Sequence, residues 1–265
     1  MRLDVYLTEN GYAASRQRAR AMIESGNVCL DGTTVTKPSY PVGEGEHAVE
    51  VRDPLRYVGR GGLKLEAALE AFGISPAQKT ALDIGASTGG FTDCLLQHGA
   101  SLVYAVDAGE GQLAPSLCKD ERVISKERLN ARELSLSDIG GKAVDLIVMD
   151  VSFISATYIL PRFPLLLCKG GEAVCLIKPQ FEVGKSMLGK GGIVKDRSAH
   201  LLAVERVLEC AVSVGLVPVG LIPSPIHGGD GNREFLVHFK AEADGLSAID
   251  KRKIRQVIEG SFGRE

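Results

Sequence analysis

The residues from Thr80 to Phe91, T-A-L-D-I-G-A-S-T-G-G-F, constrain this chain more than any other stretch. A short apolar run (Ala81, Leu82, Ile84) enters a glycine-rich turn, and Thr92 to His98 continues as a predicted helix. Strand, tight turn and helix in that order open a nucleotide-binding α/β sheet. Gly85 lets the backbone turn and come close to a ligand, while Gly89 and Gly90 let the helix start pack beside it. The spacing is not G-x-G-x-x-G, because Ser87 stands where the second glycine belongs. Asp83 at the strand end, followed by G-x-S-x-G-G, suits a cofactor with no pyrophosphate to cradle. S-adenosyl-L-methionine, with its cationic sulfonium, amino-acid tail and ribose, is such a cofactor. A second apolar run, Leu102 to Val106, ends in Asp107, 24 residues after Asp83. A carboxylate there can accept both ribose hydroxyls. The expected cofactor site takes in Asp83, Gly85, Ser87, Gly89, Phe91 and Asp107.

The chain has 265 residues, room for one large domain and a small one. Its 45% hydrophobic and 24% charged content is that of a globular protein. No apolar run reaches the roughly 18–20 residues needed to span a bilayer. Arg2, Asp4 and Glu9 do not fit a secretory signal, so a cytoplasmic protein that engages no membrane is expected. The 6 cysteines form no C-x-x-C pair and no cluster with the 5 histidines, so free thiols and no metal site are expected. A net charge of −2 makes no global case for nucleic acid; any such case is local.

Residues 1–58 read as a separate small unit. A short helix near Leu3–Leu7 precedes a second, Arg16 to Ser25, capped by Ser15 and stopped by Gly26. Strands follow at Val28–Leu30 and Ala48–Val51, with a hairpin signal at Asp31-Gly32. Arg16, Arg18 and Arg20 sit near the start of the second helix, where positive charge opposes the helix dipole. Phosphates of RNA would explain them; a solvated polar face is the plainer alternative. Gly59 to Gly62 reads as a linker. Leu63 to Phe72 is an amphipathic helix with Leu65, Ala68, Leu69 and Phe72 as its stripe, and Lys64 lies beside that stripe.

Further on, Val123–Ser125 is a short strand leading into a polar loop that includes Asn130, placed where such folds meet adenine. The apolar run up to Met149 ends on Asp150, and Asp83, Asp107 and Asp150 are therefore expected to line one crevice at the carboxyl ends of the strands. A helical stretch is expected from Val151 to about Gly171, then a strand, Glu172–Ile177, delivering Lys178-Pro179. The loop Glu182–Arg197 contains G-x-x-x-x-G-K, but Gly191 stands where a P-loop needs Ser or Thr. With Lys185 and Lys190 it is read instead as a mobile basic lid over a polyanionic substrate. Helix Ser198–Val214, strand Leu216–Ile222, strand Arg233–Phe239 and helix Ala248–Glu259 complete the chain, with Glu234 opening the last strand.

Asp150, Lys178 and Glu234 are expected at sheet positions that converge on the crevice, and Lys64 could reach it from the preceding helix, which makes these four the candidate catalytic groups. Methyl transfer from a sulfonium to a hydroxyl needs in-line approach and removal of a poorly acidic proton, which a lysine performs only when neutral. Two lysines and two acids meet that need. Ser87 and the strand-end lysine argue against an NAD-type oxidoreductase, and a pore-former would need a membrane-length or amphipathic segment. A non-catalytic RNA-binding or ribosome assembly factor is opposed by the presence of all four tetrad side chains.

The N-terminal pattern R-L-D-x-Y-L, S-R-x-x-A-x-x-x-I-x-x-G-x-V-x-L-D-G and V-x-K-P resembles the S-four RNA-binding domain. The resemblance implies that the helix pair docks structured RNA through Arg16, Arg18 and Arg20. The motifs D-I-G-A-S-T-G-G-F, D-V-S-F-I-S, I-K-P-Q-F-E and N-R-E-F, with the order K-D-K-E, resemble ribose 2′-O-methyltransferases of the FtsJ/RrmJ type, and with the N-terminal unit the TlyA (haemolysin A) family. The likeness covers essentially the whole chain. It implies a Rossmann-like class I methyltransferase fold at residues 63–265, with a seven-stranded, mostly parallel sheet whose last strand is antiparallel. It also implies methylation of cytidine 2′-hydroxyls in ribosomal RNA, with Lys64, Asp150, Lys178 and Glu234 as the tetrad and Lys178 as the base.

Overall fold

The computed structural model describes residues 1–13, 15–43, 45–51, 56–228, 231–241 and 248–262. The chain forms two compact units, Met1–Arg56 and Tyr57–Glu265.

The first unit contains α1 (Leu3–Glu9), α2 (Arg16–Glu24), β1 (Val28–Leu30), β2 (Thr33–Thr34) and β3 (Val49–Val51). Its antiparallel sheet runs β2-β1-β3. The Ser15 hydroxyl accepts the Arg18 amide at 3.2 Å and so caps α2. Leu3, Leu7, Ala19, Met22, Ile23 and Val28 form the core. Asp4 is fully buried and held by Arg2 at 2.9 Å and Arg16 at 3.1 Å. The hydrogen bond from Arg2, then that from Arg16, overcomes the cost of burial and holds the Asp4 carboxyl down at about 2. Arg16, expected to face RNA, therefore commits its Nε to the fold.

The second unit follows in chain order as α3 (Gly61–Phe72), β4 (Thr80–Ile84), α4 (Gly90–Gln97), β5 (Leu102–Val106), α5 (Pro115–Cys118), β6 (Val123–Lys126) and β7 (Val144–Met149). Then come α6 (Phe163–Leu166), β8 (Leu167–Ile177), α7 (Pro179–Glu182), α8 (Arg197–Ser213), β9 (Leu216–Pro223), β10 (Phe235–Ala241) and α9 (Lys251–Phe262). One seven-stranded sheet has the order β6-β5-β4-β7-β8-β10-β9, and β10 alone runs antiparallel to its neighbours. Strand residues alternate between faces, and helices cover both, so both sets are apolar. In β7, Leu146 and Val148 join the core under α3 and α4, while Ile147 and Met149 join the core under α8 and α9. From β4 the order runs one way through β5 and the other way through β7. That reversal opens a crevice beyond the carboxyl ends of β4 and β7.

Several expectations need correction. The linker is shorter than expected: α3 begins at Gly61, and Tyr57, 1% exposed, belongs to the core of the second unit. A Cβ on Gly62 would lie 2.2 Å from the Tyr57 ring, and one on Gly90 only 3.0 Å from the Gly62 nitrogen. These glycines serve close packing of two backbone segments rather than flexibility. The helix expected over 151–171 is replaced by an extended turn, two 3-10 turns (Ala156–Tyr158, Leu160–Arg162) and the single turn of α6. Pro161 and Pro164 fall at the starts of these turns, where a missing amide costs least, and prevent one continuous helix. The fifth strand of the sheet, β8, starts at Leu167 rather than Glu172; pairing with β7 jumps from Leu167 to Glu172, so 168–171 bulge outward. The last strand and last helix each start a few residues later than expected, at Phe235 and Lys251. None of the 6 cysteines forms a disulfide, and Cys118 is exposed.

Leu82, fully buried in the central strand, is expected to lose about 2–5 kcal/mol of folding stability on truncation to alanine, measurable by denaturant titration.

Candidate active site

Four strand ends build the crevice. Gly85, next after β4, has φ +85°, a left-handed conformation that suits glycine. A Cβ there would stand 2.4 Å from the Asp150 carbonyl oxygen, and the Asp150 amide bonds the Ile84 carbonyl at 3.0 Å. The close approach of the two chains fixes Asp150 at the mouth. Lys178 follows β8 directly, and Glu234 precedes β10 directly. The antiparallel pairing of Ile177 with Phe235 brings both out of the sheet at one edge.

The four candidate catalytic side chains form two ion pairs. Lys178 Nζ lies 2.6 Å from Asp150 Oδ1 and donates to Ser152 Oγ at 2.7 Å. Lys64 Nζ donates to Glu234 Oε2 at 2.5 Å across 170 residues of sequence. This second pair is the more deeply buried: the Lys64 and Glu234 side chains are 9% and 2% exposed, against 12% and 20% for Lys178 and Asp150. A lysine beside a helical stripe ordinarily points to water; here it turns into the interior because a buried carboxylate waits for it.

Two adjoining cavities share Gly85, Ser87, Asp150 and Ser152. The smaller, about 190 Å³, runs past Arg60, Gly61, Phe91 and Lys178. The larger, about 430 Å³, runs past Asp107, Asn130 and Phe153 and falls in the size range of small-molecule sites. The Asp107 carboxylate accepts the backbone amides of Ser87 at 2.8 Å and Gly109 at 2.7 Å, which fixes its orientation at the end of β5. Asn130 caps a 3-10 turn through the Arg132 amide and stands in the wall of the larger cavity. A ribose-bearing, cationic ligand finds a carboxylate, an amide side chain and a glycine-floored cleft here, so the residues fit S-adenosyl-L-methionine.

Not every expected residue lines the crevice. Asp83 is fully buried beneath it, Gly89 turns towards Leu113 and Leu117, and Lys64 and Glu234 border neither cavity, Glu234 lining a separate one with Pro223 and His227. Thr92 Oγ1 donates to Asp83 Oδ2 at 2.6 Å, and Oδ1 has no partner. Burial pushes the Asp83 carboxyl up to about 7, with Thr92 opposing. Three residues went unrecognised in the sequence: Arg60, on a segment read as linker, Ser152, and Phe153, 92% exposed at φ +65°. The basic loop is tied down at one end, because buried Asn232 accepts the Val194 amide at 2.9 Å and donates to the Gly192 carbonyl at 3.2 Å. Lys185 and Lys190 stand exposed on its 3-10 turns. Among the described residues no His, Cys, Asp and Glu cluster is arranged to hold a metal, and no helix is long and apolar enough to cross a membrane.

Comparison with known proteins finds relatives of both units. Residues 57–241 match the FtsJ-like methyltransferase family and residues 1–47 the S4 domain. The 16S/23S rRNA (cytidine-2′-O)-methyltransferase TlyA of Mycobacterium tuberculosis is 44% identical, over 98% of each chain. Hemolysin A of Brachyspira hyodysenteriae is 42% identical, over 90% of this chain and 99% of that one. A solved structure from Streptococcus thermophilus, named as a hemolysin, superposes with a TM-score of 0.79 at 40% identity, covering 99% of this chain and 96% of the other.

The raised Asp83 titration has a sign that can be tested. Between the ordinary carboxylate value near 4 and about 7, the unfolded chain has released this proton and the native chain retains it, so stability falls as pH rises through that window. Asp83→Asn does not titrate. Its stability relative to wild type is expected to improve steadily from about pH 4 to about pH 7 and then level off, as followed by chemical denaturation across that range.

Proposed function

The chain belongs to the FtsJ-like methyltransferase family, and from that membership and the paired lysines of its crevice we propose how it works. The enzyme transfers a methyl group from S-adenosyl-L-methionine to the ribose 2′-hydroxyl of cytidine in ribosomal RNA. The observation that carries this reading is Lys178, held by Asp150 and Ser152 at the wall of a cleft of small-molecule size that Asp107 also lines, with Lys64 held by Glu234 from the neighbouring strand.

The bound cofactor supplies a methyl group on a cationic sulfonium. Asp107 would take the cofactor ribose and Asn130 the edge of its base, while Gly85 and Ser87 would give the backbone close access. The substrate 2′-hydroxyl is presented to Lys178. Lys178 Nζ would accept its proton as the hydroxyl oxygen takes the methyl group that the bound cofactor would supply. Lys178 must meet the substrate without its proton, and Asp150 at 2.6 Å then stabilises the ammonium it becomes. Ser152 keeps Nζ from rotating away. The Lys64–Glu234 pair is closed on itself and supplies a fixed dipole that orients the oxygen. Much of the acceleration comes from alignment rather than from new charge, as effective molarities of about 10⁵ M or more allow.

Substrate capture belongs to surfaces away from the reacting atoms. Arg18 and Arg20 on α2, with Arg16 braced against Asp4, offer cations to the RNA backbone, and Lys185 and Lys190 add two more. With ribosomal subunits as partners, the enzyme acts in the cytoplasm.

Lys178→Ala is expected to reduce methyl transfer to isolated ribosomal subunits at least about 100-fold, with the cofactor dissociation constant within a few-fold of wild type. Asp107→Ala is expected to do the reverse, weakening cofactor binding about tenfold or more. Radiolabel transfer and calorimetric titration separate the two. Cofactor binding without transfer to either subunit by the wild type would instead favour an RNA-binding assembly role.

A further inference from the structure

The loop after β7 carries Asp150, Ser152 and Phe153 in only a few residues, and nothing in its own backbone makes it a regular element. Its near end is tied by Lys178 to Asp150 and Ser152. Its middle rests on the turn of α7, where the Phe153 and Phe181 rings lie 5.3 Å apart. Its far end meets a buried carboxylate. Glu182 is 3% exposed, and its two oxygens accept the Ser155 hydroxyl at 2.5 Å and the Ala156 amide at 2.8 Å. The Ser155 oxygen in turn accepts the Thr157 amide at 3.2 Å, so the carboxylate organises the whole start of the 3-10 turn.

Glu182 is itself well placed to act on Lys178. It ends α7, the single turn that begins at Pro179, and the Phe181 amide closes that turn on the Lys178 carbonyl at 2.9 Å. Arg206, from α8, donates to the Glu182 carbonyl at 2.9 Å and anchors the turn from outside. The carboxylate therefore joins two short segments, one carrying the amine and the other its two partners. Burial of a carboxyl with no cation on its own oxygens is costly. An apolar residue at this place would leave the Ala156 amide and the Ser155 hydroxyl without their acceptor.

We propose that Glu182 is a positioning residue for methyl transfer: by clamping Ser155 and Ala156 to the α7 turn, it sets the register of Asp150 and Ser152 against the Lys178 amine. This rests on the proposed function, because it assigns to Lys178 the proton transfer that the register serves. Glu182 does not touch the reacting atoms. Glutamine at 182 preserves the clamp, its carbonyl accepting from Ala156 and its amide donating to the Ser155 oxygen. Alanine removes it.

The test compares wild type, Glu182→Gln, Glu182→Ala and Ser155→Ala, each confirmed folded by near-ultraviolet circular dichroism. Three readouts are used: kcat for methyl transfer to ribosomal subunits, the cofactor dissociation constant, and acetylation of the Lys178 amine by acetic anhydride, followed by mass spectrometry. Expected for Glu182→Ala are a kcat at least about tenfold lower, cofactor affinity within about threefold, and Lys178 acetylated at least about threefold faster. Ser155→Ala should shift all three readouts in the same sense but less, and Glu182→Gln should restore them to near wild type. The labelling needs no turnover, so it tests the clamp even if wild type transfers no methyl, a result that would count against the function alone. A folded Glu182→Ala protein with wild-type kcat, or with unchanged Lys178 labelling, overturns the proposal, as does a Glu182→Gln protein as impaired as the alanine variant.

Discussion

Burying charge is the physical constraint on which this structure turns. Taking a lysine and a carboxylate out of water costs several kcal/mol per ion, and only close, well-made pairing offsets it. The chain does this twice at one edge of its sheet, with residues drawn from α3, from the ends of β7 and β8, and from the start of β10. Well-packed apolar residues would fold as well or better at such positions. Charge retained under those conditions marks both pairs as candidates for the chemistry of the crevice. The sheet topology makes the pairs possible, because the antiparallel pairing of β10 with β8 brings Glu234, just before β10, to the end of β8 where Lys178 leaves it.

The same logic extends one layer outward. Short polar ties hold what the regular elements do not reach: Glu182 grips the loop after β7, Asn232 grips the basic loop before α8, and Asp4 grips Arg2 and Arg16 in the first unit. All three are buried, and Glu182 and Asn232 each accept the amide of a loop residue distant in sequence, hydrogen bonding that a helix or strand supplies for itself. The loop after β7 is thus irregular and yet tied along its length.

Much of this was legible in the sequence where local pattern and tertiary role coincide. The apolar runs ending on Asp83, Asp107 and Asp150 announced the central strands, and the S-T-G-G turn announced the ligand cleft. Lys64 showed its place only by resemblance, since helical periodicity sets it beside the apolar stripe and cannot see Glu234, 170 residues away. Gly59 to Gly62 read as linker because glycine marks both flexible chain and close packing, and only the Tyr57 ring and Gly90 decide between them. Asp83 read as a crevice residue by its position at the strand end, yet its alternation with Ile84 turns it beneath the floor. Glu182 carried no signal at all: a glutamate opening a lysine-rich loop looks like solvent-facing charge until Ser155 and Ala156 are found against it.

The account stands or falls on which atom receives the methyl group. The direct measurement is transfer of labelled methyl from S-adenosyl-L-methionine to ribosomal subunits, followed by complete digestion of the RNA and identification of the labelled nucleoside. Paired lysines acting on a ribose hydroxyl predict label in 2′-O-methylcytidine, protected from alkaline cleavage at its 3′ phosphate. Label on a base carbon or nitrogen, leaving the ribose hydroxyl free, would contradict it.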